Sequence, residues 1–276
     1  MESFPTVADQ VTAMGSVTPV RSSVKRATSP TAIESRGLER ARSIETVREV
    51  EAPAVREQIL PAPRSDTLNR AVNLAISVIG LIVLSPLLVL IAAVVKLTSR
   101  GPIFYTQTRV GIDRRYNRTL ATQERRLQDL GGTAFTIYKF RSMDVNAEGR
   151  SGVVWATVND PRVTPVGRFI RKFRLDELPQ LINVAKGDMN IVGPRPERPL
   201  IVARLRQDIP EYPLRQRVKP GITGLAQINQ QYDSCLDDVR SKVHYDLEYL
   251  KRQSMLEDIK IMAKTLPTVL LKIRGW

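Results

Sequence analysis

AVNLAISVIGLIVLSPLLVLIAAVV, residues Ala71–Val95, decides how this chain is built, because it runs for 25 residues without a charge. As a helix it is long enough to cross about 30 Å of hydrocarbon. So apolar a run is out of place as the core helix of a basic soluble protein. Ser85-Pro86 sits almost at its midpoint. Proline removes one backbone hydrogen bond and clashes with the preceding turn, so these two residues are expected to break the helix. Basic residues flank both ends, Arg64 and Arg70 before, Lys96, Arg100 and Arg109 after. Cytoplasmic flanks are the ones enriched in Lys and Arg. A re-entrant helix-break-helix hairpin, entering and leaving the bilayer on one face, satisfies both facts and is preferred to a straight span.

Composition changes sharply at this segment. Residues 1–65 are rich in Ser, Thr, Ala, Pro, Arg and Glu and hold no aromatic after Phe4. They cannot bury enough apolar surface to offset the entropy of ordering, and read as a disordered arm. No apolar stretch of the kind a secretory signal needs follows the start. The expected organisation is arm 1–65, membrane hairpin 66–98 and a cytosol-facing domain 99–276, the last with a polar, arginine-rich insertion over 112–132. The formal charge of +14 comes from 42 Lys+Arg against 28 Asp+Glu. Such a surplus points to an anionic partner: nucleic acid, an acidic lipid surface or a phosphorylated substrate. A nucleic-acid binder would need a basic face with aromatics for stacking, and aromatics are 5% of the chain. One cysteine and one histidine exclude an intrachain disulfide and an ordinary His/Cys zinc site. A metal here is expected to be a hard cation held by carboxylate and phosphate oxygens.

RFIRKFRLDELPQLINVAKGDMNIVGPRPE, Arg168–Glu197, sets the adjacent acids Asp176 and Glu177 among Arg168, Arg171, Lys172, Arg174 and Arg195. Pro179 suits the first turn of a helix, Gly187 its end, and Leu178, Leu181, Ile182 and Ala185 one buried face. Two readings stand side by side: Asp176 caps that helix above a solvated basic surface, or the acids hold a metal beside a phosphate. Two prolines fix φ on either side of Arg195, which suits a planar grip on phosphate. Upstream, Ile103–Val110 and Thr133–Met143 read as strands, and alternation puts Lys139 and Arg141 on one face of the second. Downstream, VKPGITGLAQIN (Val218–Asn229) reads as a tight binding loop or lid. Two amphipathic helices, Leu236–Lys251 and Leu256–Ile273, close the chain, the second suited to a core or to an anionic membrane surface.

KLTSRGPIFYTQTRVG, IYKFRSM, DPRVTPVGRFIRKFRLDELPQLINVAKGDMNIVGPRP and VKPGITGLAQIN, in that order, resemble the bacterial monotopic phosphoglycosyl transferases. The likeness runs from about Asp66 to the C-terminus and leaves residues 1–65 uncovered. It implies a mostly helical α/β monotopic membrane protein with a small catalytic domain facing the cytoplasm at the bacterial inner membrane. It implies transfer of a sugar-1-phosphate from a UDP-sugar to polyprenyl (undecaprenyl) phosphate with release of UMP, the first membrane step of exopolysaccharide, capsule or O-antigen synthesis. It maps the family's nucleophile onto Asp176, with Glu177 completing the dyad, Mg²⁺ beside it and Asp258 a more loosely aligned acidic ligand. It assigns phosphate binding to Lys139, Arg141, Arg171 and Arg195, and the helix break to Ser85 and Pro86. The expected partners are UDP-sugar, polyprenyl phosphate and membrane lipids, without nucleic acid; the sugar and the oligomeric state are left open. The long 112–132 segment departs from the family's tight strand connection and reads as a surface insertion. The rival reading is a non-catalytic, basic membrane-anchored scaffold or nucleic-acid binder.

Overall fold

The computed structural model describes residues 59–114, 131–145, 147, 160–230 and 235–271. The expected arm before 59 and the insertion between 115 and 130 lie outside the described residues. The apolar run forms two helices, α1 (Asp66–Val83) and α2 (Ser85–Thr98), parted at Leu84. Pro86 has no N–H for the Ile82 carbonyl four residues back. The Ser85 hydroxyl takes that place, donating to Ile82 O at 2.7 Å. Among the described residues α1 alone is long and apolar enough to cross a membrane by length and composition.

The polarity of α1 is inverted. Asn73 and Ser77 are its buried residues, whereas Ile79, Ile82 and Val83 are 60–69% exposed. On α2, Val89, Leu90 and Leu97 are exposed as well. The inner face of α1 is fastened to the body by polar bonds. Asn73 Oδ1 accepts from Ile191 N at 2.6 Å, and Arg70 donates to the carbonyls of Val184 and Ala185. Those carbonyls belong to the last turn of α4 (Gln180–Lys186), where Val184 O also accepts from Gly187 N at 3.0 Å and a cation is favoured. Gly187 then closes α4 at φ 92°, a left-handed conformation that glycine adopts without strain.

Two strands, β1 (Phe104–Val110) and β2 (Ala134–Phe140), pair antiparallel from Phe104↔Phe140 to Val110↔Ala134. Buried Asn183 joins β2 to α4, accepting from Tyr138 N and donating to Thr136 O. α3 (Pro165–Lys172), capped by the Thr164 hydroxyl, packs Ile170 with Phe140 against Ile91 and Val95 of α2. β3 (Asn190–Val192) pairs in parallel with β4 (Gly221–Thr223). There the chains approach so closely that a Cβ on Gly221 would lie 2.1 Å from Gly193 N. α5 (Pro199–Asp208), a 3₁₀ segment (Tyr212–Arg217), α6 (Leu225–Asn229), α7 (Leu236–Arg252) and α8 (Met255–Leu271) complete the body. Its main core gathers Val192, Val202, Tyr212, Val239, Tyr249, Leu250 and Ile261.

The structure moves several boundaries. The arm, expected to stay loose to residue 65, is tied down from Ile59: Ala62 N bonds to Leu250 O, Gln253 donates to Ala62 O, and Arg217 to Ile59 O. Val218–Asn229, expected as a loop, is mostly β4 and α6, because its glycines permit close strand pairing. The buried face of α8 centres on Asp258 and Ile261. Leu256, Ile259 and Leu266 form an exposed apolar stripe instead of joining the core.

Candidate active site

Asp176 and Glu177 occupy a single 3₁₀ turn, Leu175–Glu177, between α3 and α4. Arg174 enters it at φ 57°, ψ 18°, the one non-glycine residue with positive φ among the described residues. That conformation costs on the order of 1 kcal/mol or more, and it turns the chain so that both acids face inward. Asp176 is 7% and Glu177 6% exposed.

Asp176 does not cap α4, contrary to one of the two sequence readings. The N-cap position is Pro179, with no side-chain capping bond. The Asp176 Oδ1 atom is buried and has no hydrogen-bond partner. Burial, then the neighbouring Glu177 charge, pushes the Asp176 carboxyl above its ordinary value, against the opposing fields of Lys139, Arg171 and Arg174.

Glu177 is the opposite case. Lys139 Nζ donates to its Oε1 at 2.8 Å, Arg195 Nη2 to the same oxygen at 2.5 Å, and Arg195 Nη1 to Oε2 at 3.2 Å. Arg174 adds an ion pair at 3.8 Å. Burial alone would raise the Glu177 carboxyl; Arg195, Lys139 and Arg174 together hold it well below the usual carboxylate range. In return Glu177 raises Arg195, while burial lowers Lys139 against the pull of the same carboxylate. The two acids of one turn are thus sharply divided: one charge is fully compensated, the other has an oxygen with nothing to bind.

Lys139, Arg171, Arg174 and Arg195 therefore act on one dyad, drawn from β2, the end of α3, the 3₁₀ entry and the loop after β3. Arg141 does not join them. β2 ends at Phe140, the alternation expected to carry Arg141 to the same face lapses, and its guanidinium turns to the C-terminus of α2. There Nη2 donates to Ser99 O at 2.8 Å and Ser99 Oγ at 2.6 Å. Asp258 is placed elsewhere too, accepting from Tyr249 Oη at 2.7 Å and Arg64 Nη1 at 3.4 Å. Among the described residues no group of three His, Cys, Asp or Glu side chains gathers into a metal site. The expected trio of Asp176, Glu177 and Asp258 is not assembled. What suits a hard cation is the unpartnered Asp176 Oδ1; both oxygens of Glu177 already accept from cations.

Sequence spacing assigns no role to the charges behind Arg195. Glu197 accepts from Lys242 at 2.7 Å and pairs with Arg109 at 3.5 Å. Burial would raise it, yet Lys242, Arg109 and Arg215 hold its carboxyl down at about 2. Arg215 and Asp246 form a buried pair at 2.7 Å. These partners are tens of residues apart in the chain, and no local motif announces them.

The sequence pattern of bacterial sugar transferases matches residues 64–272. The chain is 44% identical over 200 residues to the UDP-glucose:undecaprenyl-phosphate glucose-1-phosphate transferase of Escherichia coli K12, covering 72% of this chain and 39% of that one. It is 40% identical to the UDP-N-acetylgalactosamine-undecaprenyl-phosphate N-acetylgalactosaminephosphotransferase of Aeromonas hydrophila, covering 77% of this chain and 46% of the other. The chain thus spans less than half the length of either. The exopolysaccharide production protein PSS of Rhizobium leguminosarum bv. phaseoli is 34% identical and matches over 98% of its own length, 76% of this chain. The dyad, the cations around it and the fold that holds them all lie inside the matched region, and the chain belongs to the bacterial sugar transferase family.

Proposed function

We propose that the protein transfers a sugar-1-phosphate from a UDP-sugar to polyprenyl phosphate at the cytoplasmic face of a bacterial inner membrane. The observation that carries the reading is the divided dyad, a neutralised Glu177 beside an Asp176 whose Oδ1 is buried and without a partner. The Asp176 carboxylate attacks the sugar-linked phosphorus. The bond from that phosphorus to the UMP oxygen breaks, and UMP leaves with the electron pair. A polyprenyl phosphate oxygen then attacks the same phosphorus, breaks its bond to Asp176 and restores the carboxylate. Neither step needs a general base, because carboxylate and phosphate are already ionised near neutral pH. The barrier is repulsion between anions, which fixed cations lower. Arg195 keeps 30% of its side chain exposed and Arg174 keeps 38%, so both can meet the diphosphate while holding Glu177. Mg²⁺, which Asp176 would hold together with substrate oxygens, would supply further neutralisation of the diphosphate.

The membrane reading rests on the exposed apolar sides of α1 and α2, parted at Leu84, with basic flanks at both ends. In this reading the pair is a re-entrant hairpin, and the exposed stripe of α8 lies on the lipid surface. The names of the relatives support undecaprenyl phosphate as the acceptor.

Purified protein given Mg²⁺, a panel of UDP-sugars and polyprenyl phosphate is expected to release UMP with one or more of the sugars, and Asp176→Asn to abolish release. Undiminished turnover in that variant would remove Asp176 from the role.

A further inference from the structure

The turn that carries Arg195 is tied down carbonyl by carbonyl. Pro194 O accepts from Gly221 N at 3.0 Å, and Glu197 O from Val110 N at 2.9 Å. The two carbonyls between them are held by side chains: Arg109 Nη1 donates to Pro196 O at 3.2 Å, and Arg215 Nη2 donates to the Arg195 carbonyl itself at 2.9 Å. The rest of the Arg215 guanidinium is also committed, Nε to Asp246 Oδ2 at 2.7 Å and Nη1 to Tyr212 Oη at 3.0 Å. The Arg215 and Asp246 side chains are 3% and 1% exposed, so substrate touches neither.

Burying an ion pair carries a desolvation penalty on each ion, and apolar side chains of similar volume often stabilise a core as well or better. What an apolar pair cannot do is set a donor on the Arg195 carbonyl. The geometry points to Arg215, oriented by Asp246, as a positioning residue that holds the Arg195 guanidinium in place through the backbone of the Pro194–Glu197 turn. This inference rests on the phosphate-binding role given to Arg195 above. Lysine cannot replace Arg215, because one ammonium cannot reach Asp246, Tyr212 and the Arg195 carbonyl in three directions at once.

The test is a double-mutant cycle in the detergent-solubilised full chain, reading the dissociation constant for UDP by calorimetry with Mg²⁺ present. Arg215→Lys, Arg195→Lys and the double variant are compared with wild type. Loss of correctly folded protein lowers turnover but leaves the affinity of the remaining sites alone, so affinity separates positioning from damage. Arg215→Lys is expected to weaken UDP binding about tenfold, equivalent to about 1.4 kcal/mol, and the double variant to bind no more weakly than Arg195→Lys. Losses that multiply in the double variant, or wild-type affinity in Arg215→Lys, overturn the inference. Should Arg215→Lys fail to fold, Asp246→Asn, which keeps an acceptor for Nε, enters the same cycle with the same expectation. A wild-type protein that neither binds UDP nor releases UMP overturns the reaction itself and this inference with it. Wild-type turnover with multiplying losses overturns the inference alone.

Discussion

Lys139 and Arg195 meet on a single oxygen: Nζ at 2.8 Å and Nη2 at 2.5 Å both donate to Glu177 Oε1. One comes from a strand and the other from a proline-flanked turn, 56 residues further along the chain. Glu177 is thus the point on which the cations of the site are assembled, and Asp176 is left over beside it.

Glu177→Gln tests that assembly. The substitution leaves two close cations and a more exposed third without their common counter-charge. Breaking a buried pair from one side costs about 3–5 kcal/mol, to which the more exposed Arg174 contributes little. A clear fall in the thermal midpoint is expected together with loss of UMP release. An unchanged midpoint would show that the three cations do not depend on Glu177.

Asp176→Asn should act in the opposite direction on stability. The folded-state pKa of Asp176 is raised by burial and by Glu177. Its ionised form is therefore disfavoured by folding, and stability is lost as pH rises through the window above its ordinary 3.8. An uncharged amide removes that cost. Differential scanning calorimetry near neutral pH should give a midpoint above wild type in a variant with no turnover. In the wild type, the acid limb of the rate profile should lie above the range of an ordinary aspartate.

Glu197 provides a pH test away from the reacting atoms. Its folded pKa is about 2 against an ordinary 4.5. The sign is the reverse of that for Asp176: the stability it contributes is present above about 4.5 and lost as pH falls towards about 2. Glu197→Gln should flatten the decline of the thermal midpoint between these values. A decline as steep as that of wild type would assign acid sensitivity to other carboxylates.

The helix break can be tested by restoring what proline removes. Pro86→Ala returns an N–H to face Ile82 O, and with Ser85→Ala the substitute donor is removed as well. The paired variant should favour one continuous helix. In the re-entrant reading, a tag on the wild-type N-terminus is accessible from the side that carries the C-terminus; in the paired variant it should become accessible from the other side in part of the population. Ser85→Ala alone removes the hydroxyl bond to the Ile82 carbonyl and should cost about 1 kcal/mol.

The apolar run, its break and the dyad are all legible in the sequence, because each depends on neighbours in the chain: a charge-free length, a proline, two adjacent acids. Arg195 was legible for the same reason, fixed by the prolines beside it. Alternation predicts the face of Arg141 only while a strand lasts, and β2 stops one residue short of it. Pro179 suits a first turn and so allows Asp176 a capping role, but the dyad folds into its own 3₁₀ turn before α4 begins. Arg215, Asp246, Glu197 and Lys242 could not be found at all. Their meaning lies in partners 31 and 45 residues away, brought together only when α7 packs on the body.

The inverted helix α1 has a consequence for any attempt to remove the apolar hairpin from the rest of the chain. Its Arg70 closes the end of α4, and its Asn73 receives the amide of Ile191, next to the turn that carries Arg195. Cutting the chain after residue 98 would not trim away a passive tether. It would strip polar caps and a packed face from the two segments on either side of Gly187, and the remaining fragment should aggregate instead of dissolving. In this chain the apolar hairpin is a wall of the body it adjoins.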